Sequence, residues 1–184
     1  RGGFPARIVI PTVLAAALFV ISIFALIIPR FEAILLEKKK DTIRELTNSV
    51  VSVIAEFAAD ETAGRLSHTE AQRSAAARVR DIRYGAEGKD YFWITDMRPA
   101  MIMHPYREDL VGKDVGGYAD ANGVRVFVEF VKAVREKSEG YVEYLWQWKD
   151  DSSRIVPKLS FVKRFPPWDW VIGTGIYLED VHAE

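Results

Sequence analysis

The sequence predicts an α+β domain preceded by one membrane-spanning helix. The first observation is the run from Ile8 to Ile28, which contains no charged side chain. The second is a stretch with helical spacing that has no glycine or proline between Phe31 and Ala63. The third is a set of five short runs rich in aromatic and β-branched residues: 90–95, 100–104, 141–148, 155–165 and 170–178. Because helices precede and separate these runs, we expect a five-stranded, mostly antiparallel sheet with helices packed on it.

The apolar run is long enough to cross a hydrocarbon core of about 30 Å. A cleaved signal peptide is the alternative, but its apolar core is normally shorter, and residues 25–30 offer no good small-x-small cleavage site. Counting charges alone would put the following domain in the cytoplasm, because more basic residues follow the run than precede it. That rule weakens for long translocated domains, so we expect an inner-membrane anchor with the domain outside, in the periplasm.

Composition excludes several classes of function. The chain has 184 residues and a net charge of -1, with 25 basic and 26 acidic residues, so nothing favours nucleic acid as a partner. It contains no cysteine, which excludes disulfides and thiolate chemistry. The three histidines are not clustered, and the sequence has no phosphate loop, nucleophile elbow or HExxH pair. We therefore expect no catalytic residue, no metal site and no cofactor in this region.

The helix that follows the apolar run, from Arg30 to about Ala59, carries an apolar stripe. Its members alternate in spacing between three and four residues: Ile43, Leu46, Val50, Val53 and Phe57. This pattern suits either a parallel helix pair in a homodimer or packing along the back of a sheet. Gly64 ends the helix, and residues 67–70 have the spacing of a capping box for a second helix that reaches about Tyr84.

The central stretch of the chain is DYFWITDMRPAMIMHP, residues 90–105. Two strand-like runs flank the turn residues 96–99, a pattern that predicts a β-hairpin. With that four-residue loop, the opposed pairs are Thr95 and Ala100, Trp93 and Ile102, and Tyr91 and His104. Opposed residues share a sheet face, so Tyr91, Trp93 and His104 would converge. A loop one residue longer or shorter would move His104 to the other face.

A glycine-rich stretch from Tyr106 to Gly123 predicts a long loop after the hairpin. Loops of this length in compact domains often cover a binding site, although a solvated connection is the commoner outcome. Helical spacing resumes from Val124 to Lys137, and the next two strands are expected to be joined by a polar turn over residues 149–154.

The strands carry aromatic and cationic residues that suit a small-ligand pocket. Rigid walls would come from Tyr91, Trp93, Tyr144 and Trp146. His104 and Lys158 would supply hydrogen-bond donors, and in protonated form they would attract a carboxylate. Because Pro157 cannot donate to a central ladder, we expect Lys158 at a strand start or edge, close to the pocket mouth.

Two other interpretations of these residues involve no ligand. Aromatic residues in strands usually form the core, and we expect this of Phe92, Trp168 and Trp170. Lys158 would then pair across strands with Glu143 in a surface ion pair that contributes little.

Four ordered stretches carry a family resemblance. They are RYGAEGKDYFWITDMRPAMIMHPYREDLVGKDV, GYVEYLWQWKD, PKLSFVKRF and WDWVIGTGIYLEDV. Together, over residues 83–181, they resemble the single Cache domain of bacterial chemoreceptors and sensor histidine kinases. The resemblance implies a PAS-like sheet behind a long N-terminal helix, held outside the cytoplasm between two membrane spans, which binds small organic acids in many members. By position, the implied ligand contacts are Tyr91, Trp93, His104, Tyr144 and Lys158.

One position departs from the family pattern, because Phe161 stands where many relatives carry tyrosine in the stretch PKxSYVK. If that position lines the pocket, the lost hydroxyl leaves a less polar site. The predicted organisation is an N-terminal tail and anchor helix over residues 1–29, two helices over 30–84 and the ligand-binding core over 85–184. The resemblance implies a second span and a signalling module after Glu184.

These observations favour a membrane-anchored sensory domain, homodimeric through its N-terminal helix, that binds a small organic acid such as a short-chain monocarboxylate. A sensor for a small amine or a quaternary ammonium stays open, because aromatic walls near Asp96 suit a cation. A ligand-free dimerisation module, in which the sheet only packs, also stays open. A solvent-free interior around Tyr91 and His104 would favour that last alternative.

Overall fold

The computed structural model describes residues 6–179, with side chains from residue 10. The first five residues of the predicted tail and the acidic end from Asp180 lie outside the described residues. The chain divides into two compact units, Arg1–Lys38 and Lys39–Glu184.

The first unit is helical throughout its described part. It contains helix α1 (Ala6–Ser22), a wider π-helical turn (Ile23–Ile27) and the beginning of α2 (Ile28–Thr62). The wide turn ends two residues before Pro29, which has no N–H for the carbonyl four residues earlier and whose ring displaces that carbonyl. Within the described residues, this is the one helix long and apolar enough to cross a membrane. That finding is compatible with the predicted anchor.

The part of α2 that belongs to the second unit packs on the sheet. Its buried residues are Ile43, Thr47, Val50 and Ile54, at spacings of four, three and four. Of the predicted stripe, Leu46 and Phe57 are half-buried and flank this line. The apolar face of α2 is therefore used for the back of the sheet, one of the two alternatives that its spacing allowed.

The second helix, α3 (His68–Arg80), begins as predicted with a complete capping box between Ser67 and Glu70. Gly64 has a φ of 73°, the left-handed conformation that suits glycine at a helix end. The predicted end near Tyr84 was wrong, because Arg83–Tyr84 form strand β1, which pairs with β2 (Asp90–Tyr91). Local helical spacing continued past Arg80, but this strand pairing ends the helix.

The main sheet has five antiparallel strands in the order β4-β3-β7-β6-β5. The strands are β3 (Trp93–Asp96), β4 (Met101–Met103), β5 (Glu139–Trp148), β6 (Asp151–Phe165) and β7 (Trp170–Tyr177), and helix α4 (Val126–Lys137) precedes β5. The predicted five-stranded sheet is confirmed. The turn between β5 and β6 is shorter than predicted, because β6 begins at Asp151 and Lys149 takes a left-handed φ of 46°.

The predicted hairpin exists, but its register was wrong. Thr95 pairs with Met101, and Ile94 pairs with Met103, with a β-bulge between the two pairs. The bulge adds a residue to β4, so beyond it the register differs from the predicted one by two residues. A shift of two preserves the faces, because side chains alternate with a period of two.

Alternation along the strands gives the sheet two different faces. On the helix side, Phe92, Ile94, Trp170 and Ile172 pack with α2 and α3 in one apolar cluster, which we call the helix-side cluster. On the opposite side, a second cluster forms around α4, and we call it the site-side cluster. Its members are Tyr91, Trp93, Met101, Val115, Val126, Phe127, Phe130, Val134, Tyr144, Trp146, Val162 and Val171. Phe92, Trp168 and Trp170 are buried on the helix side, as predicted for core residues.

Candidate functional site

A narrow enclosed space lies inside the site-side cluster. The gaps between its lining side chains sum to about 180 Å³, but a water-sized sphere does not fit within them. The lining residues are Tyr91, Trp93, His104, Val126, Phe127, Phe130, Tyr144 and Trp146. The structure therefore brings together four of the five residues predicted to bind a ligand. Lys158 is not among the lining residues, but its Nζ lies 4.2 Å from the ring centroid of Tyr91.

Despite the shifted hairpin register, His104 lines this space. The ring centroids of Tyr91 and His104 are 4.9 Å apart, and those of His104 and Trp146 are 5.8 Å apart. If the register after the bulge is extended beyond the strands, Tyr106 falls opposite Tyr91, and its ring also lies 4.9 Å from that of Tyr91. The predicted convergence of Tyr91, Trp93 and His104 is thus present, on a different pairing.

His104 is buried and held in one tautomer. Its Nδ1 accepts hydrogen bonds from the backbone N–H groups of Tyr106, at 3.2 Å, and Arg107, at 3.0 Å. A nitrogen that accepts cannot carry a proton, so the proton of the neutral ring is on Nε2. Burial, followed by the charge of Lys158, holds the pKa of His104 well below its usual value of 6.5. The condition under which His104 was expected to attract a carboxylate, a protonated ring, is therefore disfavoured, and the neutral ring acts as a donor through Nε2.

Lys158 lies in the middle of β6, between β5 and β7, and is 1% exposed. The predicted position at a strand start or edge was wrong, and a surface pair with Glu143 is excluded by the burial. The neighbouring proline is tolerated for a local reason. Leu145, opposite Pro157, directs its N–H away from β6 to Asp120, so the missing N–H of Pro157 faces the other side, beyond the last residue of β7.

The ammonium of Lys158 sits among aromatic rings. Its Nζ donates to the phenol oxygens of Tyr91, at 3.1 Å, and Tyr177, at 3.4 Å. It also lies 4.2 Å from the ring centroid of Tyr91, 4.8 Å from that of Tyr177 and 5.2 Å from that of Trp93. Within the described part of the chain, no carboxylate forms an ion pair with this lysine. Burial lowers the pKa of Lys158 to about 7, and the more distant charge of Asp90 opposes that shift.

Hydrogen bonds between side chains fix the walls of the space. Trp146 Nε1 donates to the Tyr91 hydroxyl at 3.0 Å, and the Tyr144 hydroxyl bonds Ser160 Oγ at 2.9 Å. Burial raises the pKa values of Tyr91 and Tyr144 well above 10, so both phenols are neutral at physiological pH. The walls are therefore rigid and carry no negative charge.

One lining group has an unused hydrogen-bond donor. Among the buried side-chain atoms of the described residues, Trp93 Nε1 is one of three without a partner, together with Thr95 Oγ1 and Gln147 Oε1. Trp93 is 2% exposed, so this N–H is withdrawn from bulk water as well. Buried donors without a partner are uncommon in folded proteins, and an acceptor on a bound molecule would satisfy this one.

Two glycines of β7 make room beneath the site. A Cβ atom at Gly173 would lie 2.4 Å from the Trp93 ring, and one at Gly175 would lie 2.3 Å from Ser160 Oγ and 3.0 Å from Lys158 Cε. Gly173 and Gly175 alternate with Thr174 on the strand, so both face the site. Side chains at these positions would displace Trp93 and Lys158.

Phe161 does not line the space. It pairs with Tyr141 and Thr174, one residue out of phase with Lys158 and Ser160, so its side chain points to the other face of the sheet. There its ring lies 5.0 Å from that of Tyr141. The condition under which a less polar pocket was expected is not met.

Several residues of the site were missed by sequence reasoning. Tyr106, Phe127, Phe130, Ser160, Gly173, Gly175 and Tyr177 all contact the lining residues or Lys158. A usable signal existed for β7, where the pattern Gly-Thr-Gly-Ile-Tyr leaves one face of a strand without side chains until Tyr177. The residues of α4 gave no such signal, because a helix face against a site and a helix face against a core have the same spacing.

The long loop after the hairpin is fixed at three places. Met101 and Lys113 pair through their backbones at 2.9 Å, and the Arg125 guanidinium donates to Gly116 O at 2.8 Å. The carboxylate of Asp120 accepts from the N–H groups of Leu145 and Val124. Within residues 6–179, no group of histidine and acidic side chains is arranged to hold a metal ion.

An antiparallel sheet with a long helix on one face and an enclosed aromatic space on the other defines a PAS-like sensor domain. The chain belongs to the single Cache domain family, since the family described as single Cache domain 2 matches residues 35–184. The resemblance read from the sequence is confirmed. Homologous Cache domains are non-enzymatic, ligand-binding, periplasmic parts of membrane receptors.

Two curated relatives and one solved structure illustrate this similarity. The chain is 37% identical to the methyl-accepting chemotaxis protein McpP of Pseudomonas putida, over 94% of this chain and 31% of the relative. It is 34% identical to the sensor histidine kinase MctS of Rhizobium johnstonii, over 85% of this chain and 32% of the relative. The chain thus spans about a third of the length of these relatives.

The solved structure is described as the structural basis for carboxylic acid recognition by a Cache chemosensory domain. It superimposes with a TM-score of 0.74 at 35% identity, and the match covers 78% of this chain and 95% of that one.

Proposed function

We propose that this domain senses a small organic acid, in the form of a short-chain monocarboxylate, outside the cytoplasm. The observation that carries the proposal is the buried Lys158, whose ammonium has aromatic and hydroxyl neighbours but no carboxylate in an ion pair among the described residues. A buried charge without a counter-ion is costly, and a bound carboxylate would supply the missing negative charge.

The other polar groups of the site are donors that suit the same ligand. Trp93 Nε1 has no acceptor, and neutral His104 carries its proton on Nε2. A carboxylate has two oxygens with about four acceptor positions, so it is able to satisfy several converging donors at once. The carboxylic acid recognition described for the solved relative supports the same class of ligand.

The tight packing of the walls favours an acid with a short chain over a longer one. Since the walls leave no room for a free water-sized sphere, the space must widen to accept even a small molecule. The tail of the acid would lie against Phe127, Phe130 and Val126, which are apolar. Binding would therefore shift the domain between a closed and a wider arrangement, and this shift is the signal.

An amine ligand fits the site less well. The aromatic rings that would bind a cation already surround the ammonium of Lys158, at 4.2 to 5.2 Å from Nζ. A second cation at this place would meet a like charge in a medium of low dielectric constant. Asp96, the acidic residue considered for that role, is engaged with the backbone N–H groups of its own turn.

One observation favours the second candidate function, a ligand-free packing module. The interior around Tyr91 and His104 has no room for solvent, which was the expected mark of that alternative. The two candidates differ in what they require of Lys158, since a pure packing role would be filled better by an apolar side chain than by a buried amine.

Calorimetry on the full chain in detergent micelles, with acetate, propionate, butyrate and tetramethylammonium as ligands, separates these candidates. We expect at least one acid to bind, and we expect Lys158→Ala and His104→Ala to weaken its affinity by at least about tenfold, the range for a lost hydrogen bond to a charged group. Lys149→Met is the matched control, because Lys149 is a buried lysine in the turn between β5 and β6 that pairs with Glu87 instead. Unchanged affinity in both site variants would contradict the proposed anion site.

The periplasmic location is tested separately, because the charge count around the apolar run argues against it. The chain contains no cysteine, so Ser153→Cys, at an exposed position of β6, introduces a unique thiol. We expect a membrane-impermeant maleimide to label it in intact cells. Labelling only after the inner membrane is opened would place the domain inside.

Homodimerisation through the N-terminal helix remains part of the proposal. Since Ile43, Val50 and Ile54 pack against the sheet, the dimer contact of α2 would use other faces of that helix. Light scattering of the full chain in micelles, corrected for detergent, should give the mass of two chains. A single-chain mass at micromolar concentration would contradict a homodimer.

A further inference from the structure

The segment Pro105–Val111 lies against the lining residues of the enclosed space. The ring of Tyr106 packs on Tyr91, and its hydroxyl donates to Lys89 O at 3.0 Å. The guanidinium of Arg107 lies 5.8 Å from the ring centroid of Trp146 and pairs with Asp109 through two contacts of 2.8 Å. The segment thus covers part of the site with side chains that are only partly buried.

Both ends of this segment are fastened, but by different means. At its far end, the Gly112 N–H donates to Met101 O at 2.8 Å, a backbone bond on the edge of the sheet. At its near end, the N–H groups of Tyr106 and Arg107 both donate to one atom, Nδ1 of His104. Two backbone groups therefore depend on the protonation state of a single side chain that also lines the site.

We propose that Pro105–Val111 is the lid of the ligand site and that the imidazole of His104 is its latch, closed when the ring is neutral and released when Nδ1 is protonated. The link to ligand entry rests on the function proposed above, but the latch itself does not. Because the closed space has no room for a water-sized sphere, a ligand reaches it only after some covering element moves. At the near end of this segment, two backbone N–H groups share one acceptor atom.

The chemistry of the latch follows from the donor and acceptor inventory of imidazole. In the neutral ring, Nδ1 has a lone pair for the two N–H groups, whereas in the cation both nitrogens carry protons. A protonated Nδ1 would place an N–H against two other N–H groups, and the lid backbone would have to move away. The same side chain would then lose its fixed orientation towards the ligand.

The charged and titratable groups around His104 decide when this happens. Lys158 of β6, Arg107 of the lid and Arg83 of β1 oppose protonation, and Asp109 of the lid favours it. The phenol of Tyr91 is neutral, and Arg73, Arg80 and Glu108 line a surface groove that also reaches His104. The net effect with burial is a pKa well below 6.5, so the latch stays closed at neutral pH and releases only in acid.

Amide hydrogen exchange on the full chain in micelles, without ligand, tests the latch directly. Protection factors, corrected for the intrinsic rate at each pH, are followed for Tyr106 and Arg107 from about pH 7 down to about pH 4, on the acid side of the usual pKa of histidine. The amides of β6 serve as an internal measure of global unfolding. We expect the two lid amides to lose at least about tenfold in protection in acid while those of β6 keep theirs.

Two substitutions sharpen this test. His104→Asn puts an amide oxygen near the place of Nδ1 but does not titrate, so lid protection should no longer depend on pH. His104→Gln places its polar atoms near the position of Nε2, so the lid amides should be unprotected at every pH. Equal protection in the wild type and both variants over the whole range, or simultaneous loss in β6, would overturn the latch. If His104→Gln does not fold, the comparison of wild type with His104→Asn shows whether the pH dependence of lid protection requires His104.

A parallel measurement with sodium propionate keeps the two proposals apart. Slower exchange of the lid amides with propionate would support both the latch and the acid sensor. A pH-dependent lid that does not respond to propionate or acetate would leave the latch standing and count against the proposed ligand.

Discussion

On the helix side of the sheet, Phe92, Ile94, Trp170 and Ile172 form an apolar cluster with α2 and α3, whereas on the site side Lys158 and His104 are buried among aromatic rings. Side chains that belong to the two faces alternate along each strand, as Trp93 and Ile94 do on β3. The helix side removes apolar surface from water, which stabilises the fold. The site side keeps groups whose burial is unfavourable, and this difference is the reason why we propose the site side as the ligand-binding face.

Truncation of one aromatic side chain on each face should give the largest effect. Phe92→Ala should destabilise the domain by about 3–5 kcal/mol, the usual cost of a large core truncation, without changing which acids bind. Phe130→Ala, on the site side, should also destabilise it but should enlarge the space towards longer acids. Chemical unfolding and calorimetry with propionate and hexanoate measure both outcomes. An equal shift in chain-length preference for the two variants would remove the functional distinction between the faces.

The free energy of unfolding should depend on pH because Lys158 is a buried amine on the site side. Since the pKa of Lys158 is about 7 in the fold and 10.5 when unfolded, the unfolded chain binds more protons between these values. Stability therefore rises with pH across this window, by about 3 kcal/mol between pH 7 and pH 9.5.

Lys158→Met should abolish this rise and stabilise the ligand-free domain at pH 7, because it replaces an unpaired buried amine by an apolar chain of similar length. Lys149→Met, at the other buried lysine, should retain the rise. Guanidinium unfolding at several pH values tests both variants. The same slope in wild type and Lys158→Met would show that another group is responsible.

A side chain added at a glycine on the site face of β7 should have an effect of intermediate size on stability. Gly173→Ala brings a Cβ to 2.4 Å from the Trp93 ring, so overpacking should cost about 1–3 kcal/mol and change the tryptophan fluorescence. Gly117→Ala is the matched control, because its Cβ would meet no atom within 4 Å. Acid affinity should fall only for Gly173→Ala, and an unaltered affinity would mean that Trp93 does not contact the ligand.

The smallest effect concerns two phenols on opposite faces. Tyr144→Phe removes the bond to Ser160 Oγ on the site side, and Tyr141→Phe removes the bond to Lys40 O on the helix side. Each should cost about 1 kcal/mol of stability, the net value of one hydrogen bond. Only Tyr144→Phe should weaken acid binding in calorimetry. If Tyr141→Phe weakens it as much, the effect is transmitted through the fold and not made in the site.

Local patterns were sufficient for much of the fold. The capping box before α3, the end of α2 near Gly64 and the five strand runs all depend on residues within a few positions of one another. The hairpin, the aromatic walls and the family resemblance were predicted from the same local information. Four of the five predicted site residues line one space, because an even shift of register preserves the faces of a strand.

The rest depended on contacts between residues far apart in the chain, which spacing does not encode. The pairing of β6 with β7 buries Lys158 in the middle of β6 and places Tyr177 beside it. The same pairing turns Phe161 away from the site. The neutral state of His104 follows from two backbone groups that fold back onto its Nδ1. The sequence by itself therefore determined the class of domain and most residues of its site. The tertiary structure alone decided their charge states and their depth, because burial and electrostatics are set by everything that packs around a group.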